Sequence, residues 1–201
     1  MTGYVIVYLD ELVKELGEDR TKSILSSFSC PLNKDVETFL KQKAIEFSIQ
    51  DLSKTHLVYT SYKDKPELIG YFTLANKFLK VSRSALSSNL RKRIKRFTQY
   101  DEFLKEYIFA APLIAQLSKN YTNGFDKLIT GDELLKMALD KLAVTQQIFG
   151  GKIVYLECED NQKLIEFYMN NGFVPFYKRI LDGDEEEVSK SNYYIQMIKF
   201  T

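Results

Sequence analysis

The chain has 201 residues, of which 45% are hydrophobic and 27% are charged, so it can bury a full core without disulfides or a metal. Its 28 Lys and Arg against 27 Asp and Glu give a net charge of +1. This excludes the global basic footprint that many nucleic-acid-binding proteins carry, and any electrostatic binding surface must be local.

Several chemistries are excluded by the scarcity of His and Cys. The single His56 leaves few options for a Ser-His-acid hydrolase and none for a zinc site with several His ligands. Cys30 and Cys158 show no metal-ligand spacing and cannot form a disulfide framework. No apolar run approaches the roughly 20 residues of a membrane span, and Asp10 and Glu11 interrupt the first apolar stretch. We therefore expect a soluble, cytoplasmic chain without a metal.

The first 80 residues mix strand and helix patterns. A β-branched and aromatic start is followed by short helices, and Asn33 is placed to cap a helix whose apolar residues recur near every 3.6 positions. The period then changes to that of a hairpin. These patterns predict a strand at 4–9, helices at 11–15, 20–28 and 34–49, and hairpin strands at 55–62 and 67–74.

The rest of the chain begins with a helical pattern, in which Leu86, Leu90, Ile94 and Phe97 recur at three- and four-residue steps. We predict one α/β domain over residues 1–201, with a mixed twisted sheet, helices on both faces, an N-terminal extension of about 1–32 and a helical insertion of about 82–109. The later elements are predicted as strands at 110–117, 153–158, 173–178 and 193–200, helices at 128–147 and 161–170, and an acidic turn at 182–187.

Three stretches between residues 110 and 178 resemble the GNAT superfamily of acyl-CoA-dependent N-acyltransferases. They are APLIAQLSKN followed by KLITGDELLKMALDKL, the strand IVYLECED, and Asn161-x-x-Leu164-x-x-x-Tyr168-x-x-x-Gly172-Phe173. The last stretch matches every spacing of the family pattern, which commonly has Ala at the place of Leu164. The hairpin with its Gly-Tyr-Phe also fits, so the resemblance covers about residues 55–200. It implies the GNAT fold, with acetyl-CoA as co-substrate.

The resemblance also implies where acetyl-CoA binds. A helix N-terminus offers unpaired N–H groups to a pyrophosphate. Of the family's phosphate-loop pattern, only Gly131 matches, and an ordinary helix start with Thr130 as N-cap is the alternative for this stretch alone. The family's pantetheine arm pairs with a strand like an added strand. The residues implied for the co-substrate are Leu117, Ser118, Lys119, Lys127, Thr130, Gly131, Asp132, Glu133 and Asn161.

The resemblance assigns the catalytic acid to Tyr168, which would protonate the departing CoA thiolate. The alternative is a core tyrosine packed beside Phe167. The candidate bases are Glu157 and Glu159, which strand alternation places on one face. Either could act through a water, and the alternative for each is a solvated carboxylate at a strand end.

A local basic segment bears on the acceptor. Some GNAT relatives are toxins that acetylate aminoacyl-tRNA, and the strand Gly70–Ala75 resembles that branch. A solvated helix face, with its apolar stripe on the domain or on a second subunit of a homodimer, is the competing interpretation. The expected acceptor is an amine-bearing small molecule or peptide, with a tRNA substrate or a catalytically weak acyl-CoA-binding module as alternatives. The segment's candidate tRNA contacts are Arg91, Lys92, Arg93, Lys95 and Arg96.

Overall fold

The computed structural model describes residues 3–181 and 193–201. The acidic turn predicted at 182–187 lies outside them. The strands are β1 (Tyr4–Tyr8), β2 (Lys54–Tyr62), β3 (Lys65–Ser82), β4 (Gln99–Asp101), β5 (Glu106–Lys119), β6 (Ile153–Glu159), β7 (Val174–Ile180) and β8 (Tyr193–Phe200). The helices are α1 (Leu9–Leu16), α2 (Glu18–Ser26), α3 (Lys34–Thr38), α4 (Ala44–Ile49), α5 (Ser88–Ile94), α6 (Gly131–Phe149) and α7 (Gln162–Asn170).

The described strands form an open, mixed sheet in the order β1-β2-β3-β5-β6-β8-β7, with β4 paired to β5. The chain is therefore an α/β protein, as predicted. It divides into two compact units, and β3, β5 and α6 each contribute to both. The first unit comprises Met1–Ala75 and Ile114–Asp140, and the second comprises Asn76–Leu113 and Lys141–Thr201.

In the first unit, α1 to α4 pack on one face of the antiparallel strands β1, β2 and β3. Tyr71 is fully buried there, and its hydroxyl donates a 2.5 Å hydrogen bond to the Val36 carbonyl. Asn33 caps α3 as predicted, accepting from the backbone N–H of Asp35 at 2.9 Å. A π-helical turn joins α3 to α4, so the predicted helix at 34–49 is present with one irregular turn. The buried members of this core are Leu9, Leu25, Phe28, Cys30, Phe39, Leu40, Ala44, Ile45, Leu57, Leu68 and Tyr71.

The opposite face of β3 in this unit is closely packed. A Cβ added at Gly70 would lie 3.0 Å from the Ser118 carbonyl oxygen of β5 and 3.4 Å from the Leu134 side chain of α6. The strand therefore needs glycine here for close backbone approach. His56 is buried on the neighbouring strand and stacks on Phe72 at 4.6 Å between ring centroids, as expected of a packed histidine. Helices thus lie on both faces of β3 in this unit.

The second unit contains the antiparallel trio β6-β8-β7 and the β4–β5 hairpin. The apolar side chains of α5 are buried, and they pack against alternate residues of β3 and β5. Phe97 differs from the predicted stripe, because it stays 49% exposed. The core of this unit consists of Leu79, Val81, Leu86, Leu90, Ile94, Tyr107, Phe109, Ala111, Ile153, Tyr155 and Ile198.

The predicted helical insertion at 82–109 is wrong over much of its length. Only Ser88–Ile94 is α-helical, preceded by a short 3-10 turn at Arg83–Ala85. The rest of the segment includes β4 and the first residues of β5. Tyr107, Phe109 and Ala111 alternate into the core with the period of a strand. Over residues 3–181 and 193–201, no helix is long and apolar enough to cross a membrane.

Candidate functional site

The end of β5 carries the first group of predicted co-substrate residues, and two of its side chains are already engaged. The Ser118 hydroxyl donates to the Lys119 carbonyl at 3.0 Å, and Ser118 is buried. The Lys119 ammonium donates to the Asp126 carbonyl at 2.9 Å, which ties the strand to the loop after it. Binding of a pantetheine arm by the backbone of Leu117, Ser118 and Lys119 stays a prediction.

Asn120, which sequence reasoning missed, organises this loop. It is 1% exposed, and its backbone N–H donates to the Ile69 carbonyl at 2.8 Å. Its amide donates to the Leu68 carbonyl at 2.8 Å, and its side-chain oxygen accepts from the N–H groups of Ser29 and Thr122 at 3.0 Å each. A buried amide satisfied on both ends fixes the exit of the chain from β5. Its only sequence signal was an Asn at the start of a loop.

The start of α6 forms a capping box between Thr130 and Glu133. The Glu133 N–H donates to the Thr130 hydroxyl at 3.1 Å, and the Thr130 N–H donates back to the Glu133 carboxylate at 2.8 Å. The Tyr4 hydroxyl of β1 lies 3.1 Å from the same carboxylate and 3.2 Å from the Leu128 carbonyl. The interpretation of Thr130 as an N-cap is confirmed.

At the start of α6, the backbone N–H groups would attract a pyrophosphate, whereas the nearby carboxylates would repel it. Gly131 is a first-turn residue, whose N–H group has no acceptor within the helix, and Lys127 is an exposed cation in the preceding loop. The Asp132 and Glu133 carboxylates, however, occupy the same first turn. The Thr130 N–H holds the pKa of Glu133 below its ordinary value, so this carboxylate is charged at neutral pH.

The Asn-Leu-Tyr-Gly-Phe pattern has a local structural explanation. Asn161 caps α7, because its side-chain oxygen accepts from the N–H groups of Lys163 at 3.0 Å and Leu164 at 3.4 Å. Gly172 ends the helix at a φ of 82°, a left-handed conformation that favours glycine. Phe173 then folds back, and its ring meets that of Tyr168 edge-on at 5.7 Å. The pattern therefore builds a capped helix that fixes the Tyr168 ring.

Tyr168 has a buried ring that packs between two aromatic neighbours. It is 7% exposed and lies between Phe167 and Phe173, at ring distances of 5.0 and 5.7 Å. Within the described part of the chain, no hydrogen bond to its hydroxyl is present. Burial raises the pKa of Tyr168 above its ordinary value, so the phenol keeps its proton at neutral pH. A proton donor needs that protonation state.

Glu157 is held in a network that sequence reasoning did not foresee. Its carboxylate accepts from the Arg179 guanidinium at 2.8 and 3.0 Å, from the Gln196 amide at 3.0 Å and from the Tyr155 hydroxyl. Burial works to raise the pKa of Glu157, but these hydrogen bonds, led by that from Arg179, hold it below its ordinary value. A carboxylate so occupied is a weak proton acceptor, which weighs against Glu157 as the base. Glu159, on the same strand face, stays the other candidate.

The structure gathers the predicted site residues into one group in each unit. Residues 117–119, 127 and 130–133 belong to the first unit, whereas Glu157, Glu159, Asn161 and Tyr168 belong to the second. Cys30 and Cys158 are both buried, and burial raises the pKa of the Cys158 thiol to about 12. Among residues 3–181 and 193–201, no cluster of three or more His, Cys, Asp or Glu could hold a metal ion.

Comparisons with known proteins find similarity in structure and not in sequence. No protein-family model matches the chain, and no curated protein matches it. The solved structure of AtaT complexed with acetyl-methionyl-tRNAfMet is similar, with a TM-score of 0.63 and 15% identity over 96% of this chain and 94% of that one. A tyrosine-to-phenylalanine variant of KacT gives a TM-score of 0.63 and 17% identity over 98% and 95%.

A third similar structure is AtaTR bound with AcCoA, with a TM-score of 0.57 and 16% identity over 98% of this chain and 93% of that one. These likenesses extend over nearly the whole chain in each case. At this level of identity they establish the fold. The chain therefore has the fold of these toxin acetyltransferases, which is the GNAT fold that its motifs resemble.

Proposed function

We propose that this protein is an N-acetyltransferase that moves an acetyl group from acetyl-CoA to a primary amine. The observation that carries the proposal is Tyr168, a buried and protonated phenol whose position is fixed by the cap at Asn161 and the turn at Gly172. The shared fold supports it, since the AtaTR structure is one bound with AcCoA. The N-terminus of α6 at Gly131 is an anion site of the kind a pyrophosphate uses.

The chain's own groups support direct attack of the amine on the thioester carbonyl. The amine nitrogen forms a bond to the acetyl carbon, the carbon–sulfur bond breaks, and the departing thiolate takes the proton of the Tyr168 hydroxyl. The amine gives up its proton to solvent or, through a water, to Glu159, one of the two candidate bases. A proton from solvent then restores the Tyr168 hydroxyl. Glu157 remains paired with Arg179 of β7 and supports β6, the strand that carries Glu159.

A more specific acceptor, the amino group of an aminoacyl-tRNA, is favoured by the charge of the second unit. Residues 77–105 carry nine Lys or Arg and two acids in a chain whose net charge is +1. Lys92, Arg93, Lys95 and Arg96 are exposed on and after α5, as predicted, while Arg91 is partly buried. Because the similar structure of AtaT is a complex with acetyl-methionyl-tRNAfMet, this basic surface makes tRNA a candidate partner.

Acetyl transfer from labelled acetyl-CoA tests the function directly. The purified chain is incubated with a panel of small amines, with peptides and with mixed aminoacyl-tRNA, and labelled product is separated from acetyl-CoA. Label on any acceptor supports the general function, and label confined to aminoacyl-tRNA supports the specific one. Absence of transfer to every acceptor, together with calorimetric binding of acetyl-CoA, would instead favour an acyl-CoA-binding module.

A further inference from the structure

The tip of the β4–β5 hairpin exposes a large aromatic side chain. Phe103 is 92% exposed, and the adjacent Leu104 is 48% exposed. The tip is nonetheless well ordered by hydrogen bonds, because the Asp101 carboxylate accepts the N–H groups of Phe103 and Leu104 at 2.9 Å each. Lys105 completes the turn at a φ of 56°. The backbone thus holds the Phe103 ring in solvent, where the ring contributes little to the core.

The segment that contains this tip, residues 77–105, is basic overall, although Asp101 and Glu102 stand in the turn itself. The Arg83 N–H donates to the Lys105 carbonyl at 3.2 Å, so the two basic residues flank the turn. The Arg83 guanidinium lies 5.9 Å from the centroid of the Tyr100 ring. From Arg83 the chain leads into α5, and none of the nine cations between residues 77 and 105 forms an ion pair with the described residues. These cations are therefore available to an anionic partner as far as the described part of the chain is concerned.

We propose that this hairpin tip is a stacking site for an unpaired base of RNA, with Phe103 as the ring and Arg83 and Lys105 as contacts to the flanking phosphates. Single-stranded nucleic acid is bound by this combination of aromatic platforms and basic grooves. The inference rests on the aminoacyl-tRNA form of the proposed function, and it adds a residue that orients the RNA. A purely apolar protein partner would not require the row of cations.

The test is a set of binding measurements by fluorescence anisotropy with labelled tRNA, a single-stranded RNA and a blunt RNA duplex. Phe103→Ala is expected to weaken binding to tRNA and to the single strand by about tenfold, because one base–aromatic stack is lost. Binding to the duplex should change little, since its bases are already stacked. Phe103→Trp should restore the affinity, and the salt dependence should not change, because the phosphate contacts remain.

The matched control is Phe149→Ala, which removes a ring that is 84% exposed on α6, outside residues 77–105. It should bind all three RNAs like the unaltered chain. Equal affinity of Phe103→Ala and the unaltered chain for tRNA would overturn the proposal, as would an equal loss for duplex and single strand. Loss of self-association in Phe103→Ala, with unchanged RNA binding, would assign the tip to a protein contact and also overturn it.

The proposed function is tested separately by calorimetry of the unaltered chain with acetyl-CoA. Failure to bind acetyl-CoA would remove the acetyltransferase function while leaving the RNA measurements interpretable. Binding of acetyl-CoA together with an inert Phe103 would retain the acetyltransferase and remove only the stacking site.

Discussion

Tyr168 gives the sharpest prediction at the scale of single residues. Tyr168→Phe removes a hydroxyl proton donor and keeps the buried ring, so acetyl turnover should fall by about 10²- to 10⁴-fold. Affinity for acetyl-CoA and the unfolding midpoint should stay close to those of the unaltered chain. Steady-state kinetics and calorimetry measure both quantities. Tyr177→Phe is the control, because Tyr177 is 53% exposed on β7 and should leave turnover unchanged.

Unchanged turnover in Tyr168→Phe would make Tyr168 a packing residue and require another acid. A variant that is clearly less stable as well as less active would also indicate that Tyr168 acts by packing. The pKa direction supports the catalytic role, because burial keeps the phenol protonated across the neutral range. Turnover should therefore not fall through deprotonation of Tyr168 as pH rises across the neutral range.

Glu133 gives a second prediction at the residue scale. Its carboxylate occupies the first turn of α6, where a pyrophosphate is expected to bind, and like charges there oppose each other. Glu133→Gln keeps a hydrogen-bond acceptor for the Thr130 N–H and removes the charge. Affinity for acetyl-CoA, measured by calorimetry, should rise by about two- to fivefold.

The control for Glu133 is Glu11→Gln, which removes an exposed charge from α1 and should not alter the affinity. A lower affinity in Glu133→Gln would show that the charged capping box shapes the loop more than it repels the phosphates. An unchanged affinity would place the pyrophosphate away from this helix start.

At the scale of elements, Glu37 of α3 joins the preceding turn to the helix. Its carboxylate accepts from the Cys30 N–H at 2.9 Å and from the Lys41 ammonium at 2.8 Å. The Lys41 hydrogen bond, foremost among the causes, lowers the pKa of Glu37 to about 2. The unfolded chain therefore binds more protons than the folded chain as pH falls below the ordinary Glu value toward 2, and the stabilisation is lost over that window.

Glu37→Gln should lower the free energy of unfolding at pH 7 by about 1.5–3 kcal/mol, the range for hydrogen bonds to a charged group. The difference from the unaltered chain should shrink as pH is lowered toward 2, as measured by urea unfolding. Glu18→Gln is the control, since the Glu18–Lys22 pair is 53% and 55% exposed and should contribute little. A difference that persists at low pH would assign the effect to packing.

Element predictions from the sequence succeed where one local pattern dominates. The helix after Asn33 was predictable because an N-cap residue precedes a 3.6-residue apolar period. The helix after Asn161 was predictable because an N-cap residue and a glycine suited to the left-handed exit bound it. The spacing in 82–109 predicted too long a helix. Leu90 and Ile94 do lie on one face of α5, but Leu86 has an extended backbone and is buried in the same core, and Leu104 and Ile108 share the four-residue spacing without being helical. That region is decided by the β4–β5 hairpin and by the non-local packing of Tyr107 and Phe109 in the core with Ile198.

The candidate site was predictable to the same extent. Tyr168 and Asn161 follow from a motif with fixed spacing, and Thr130 as an N-cap follows from the helix start. Asn120 could not be found, because its role depends on carbonyl groups more than 50 residues away. The pairing of Glu157 with Arg179, 22 residues apart, is equally invisible in sequence, although it makes Glu157 a weak proton acceptor.

At the scale of the whole molecule, the near-neutral net charge conceals an uneven distribution. Residues 77–105 concentrate nine of the 28 basic residues, and the remaining chain is correspondingly acidic. Long-range attraction of a polyanion therefore depends on one surface of the second unit rather than on the charge of the protein. Reversing a few charges there should abolish RNA binding without changing the fold.

The variant Lys92→Glu, Lys95→Glu, Arg96→Glu tests this distribution. All three side chains are exposed, whereas Arg93 is excluded because its guanidinium lies 3.8 Å from the centroid of the Phe200 ring. The unaltered chain should bind tRNA at low salt, with an affinity that falls steeply as salt rises, and the triple variant should show no measurable binding. Calorimetry should give the same acetyl-CoA affinity for both, since the predicted co-substrate residues lie elsewhere in the sequence.

The control for the triple variant reverses three exposed cations outside the segment, Lys22, Lys63 and Lys136, to give the same change in net charge. If binding follows the local surface, this control should retain most of its tRNA affinity, because screening at physiological salt limits each charge to about 8 Å. Equal losses in the two variants would show that net charge alone governs the association. In that case the basic segment would be a solvated face, and a small-molecule or peptide amine would become the better-supported acceptor.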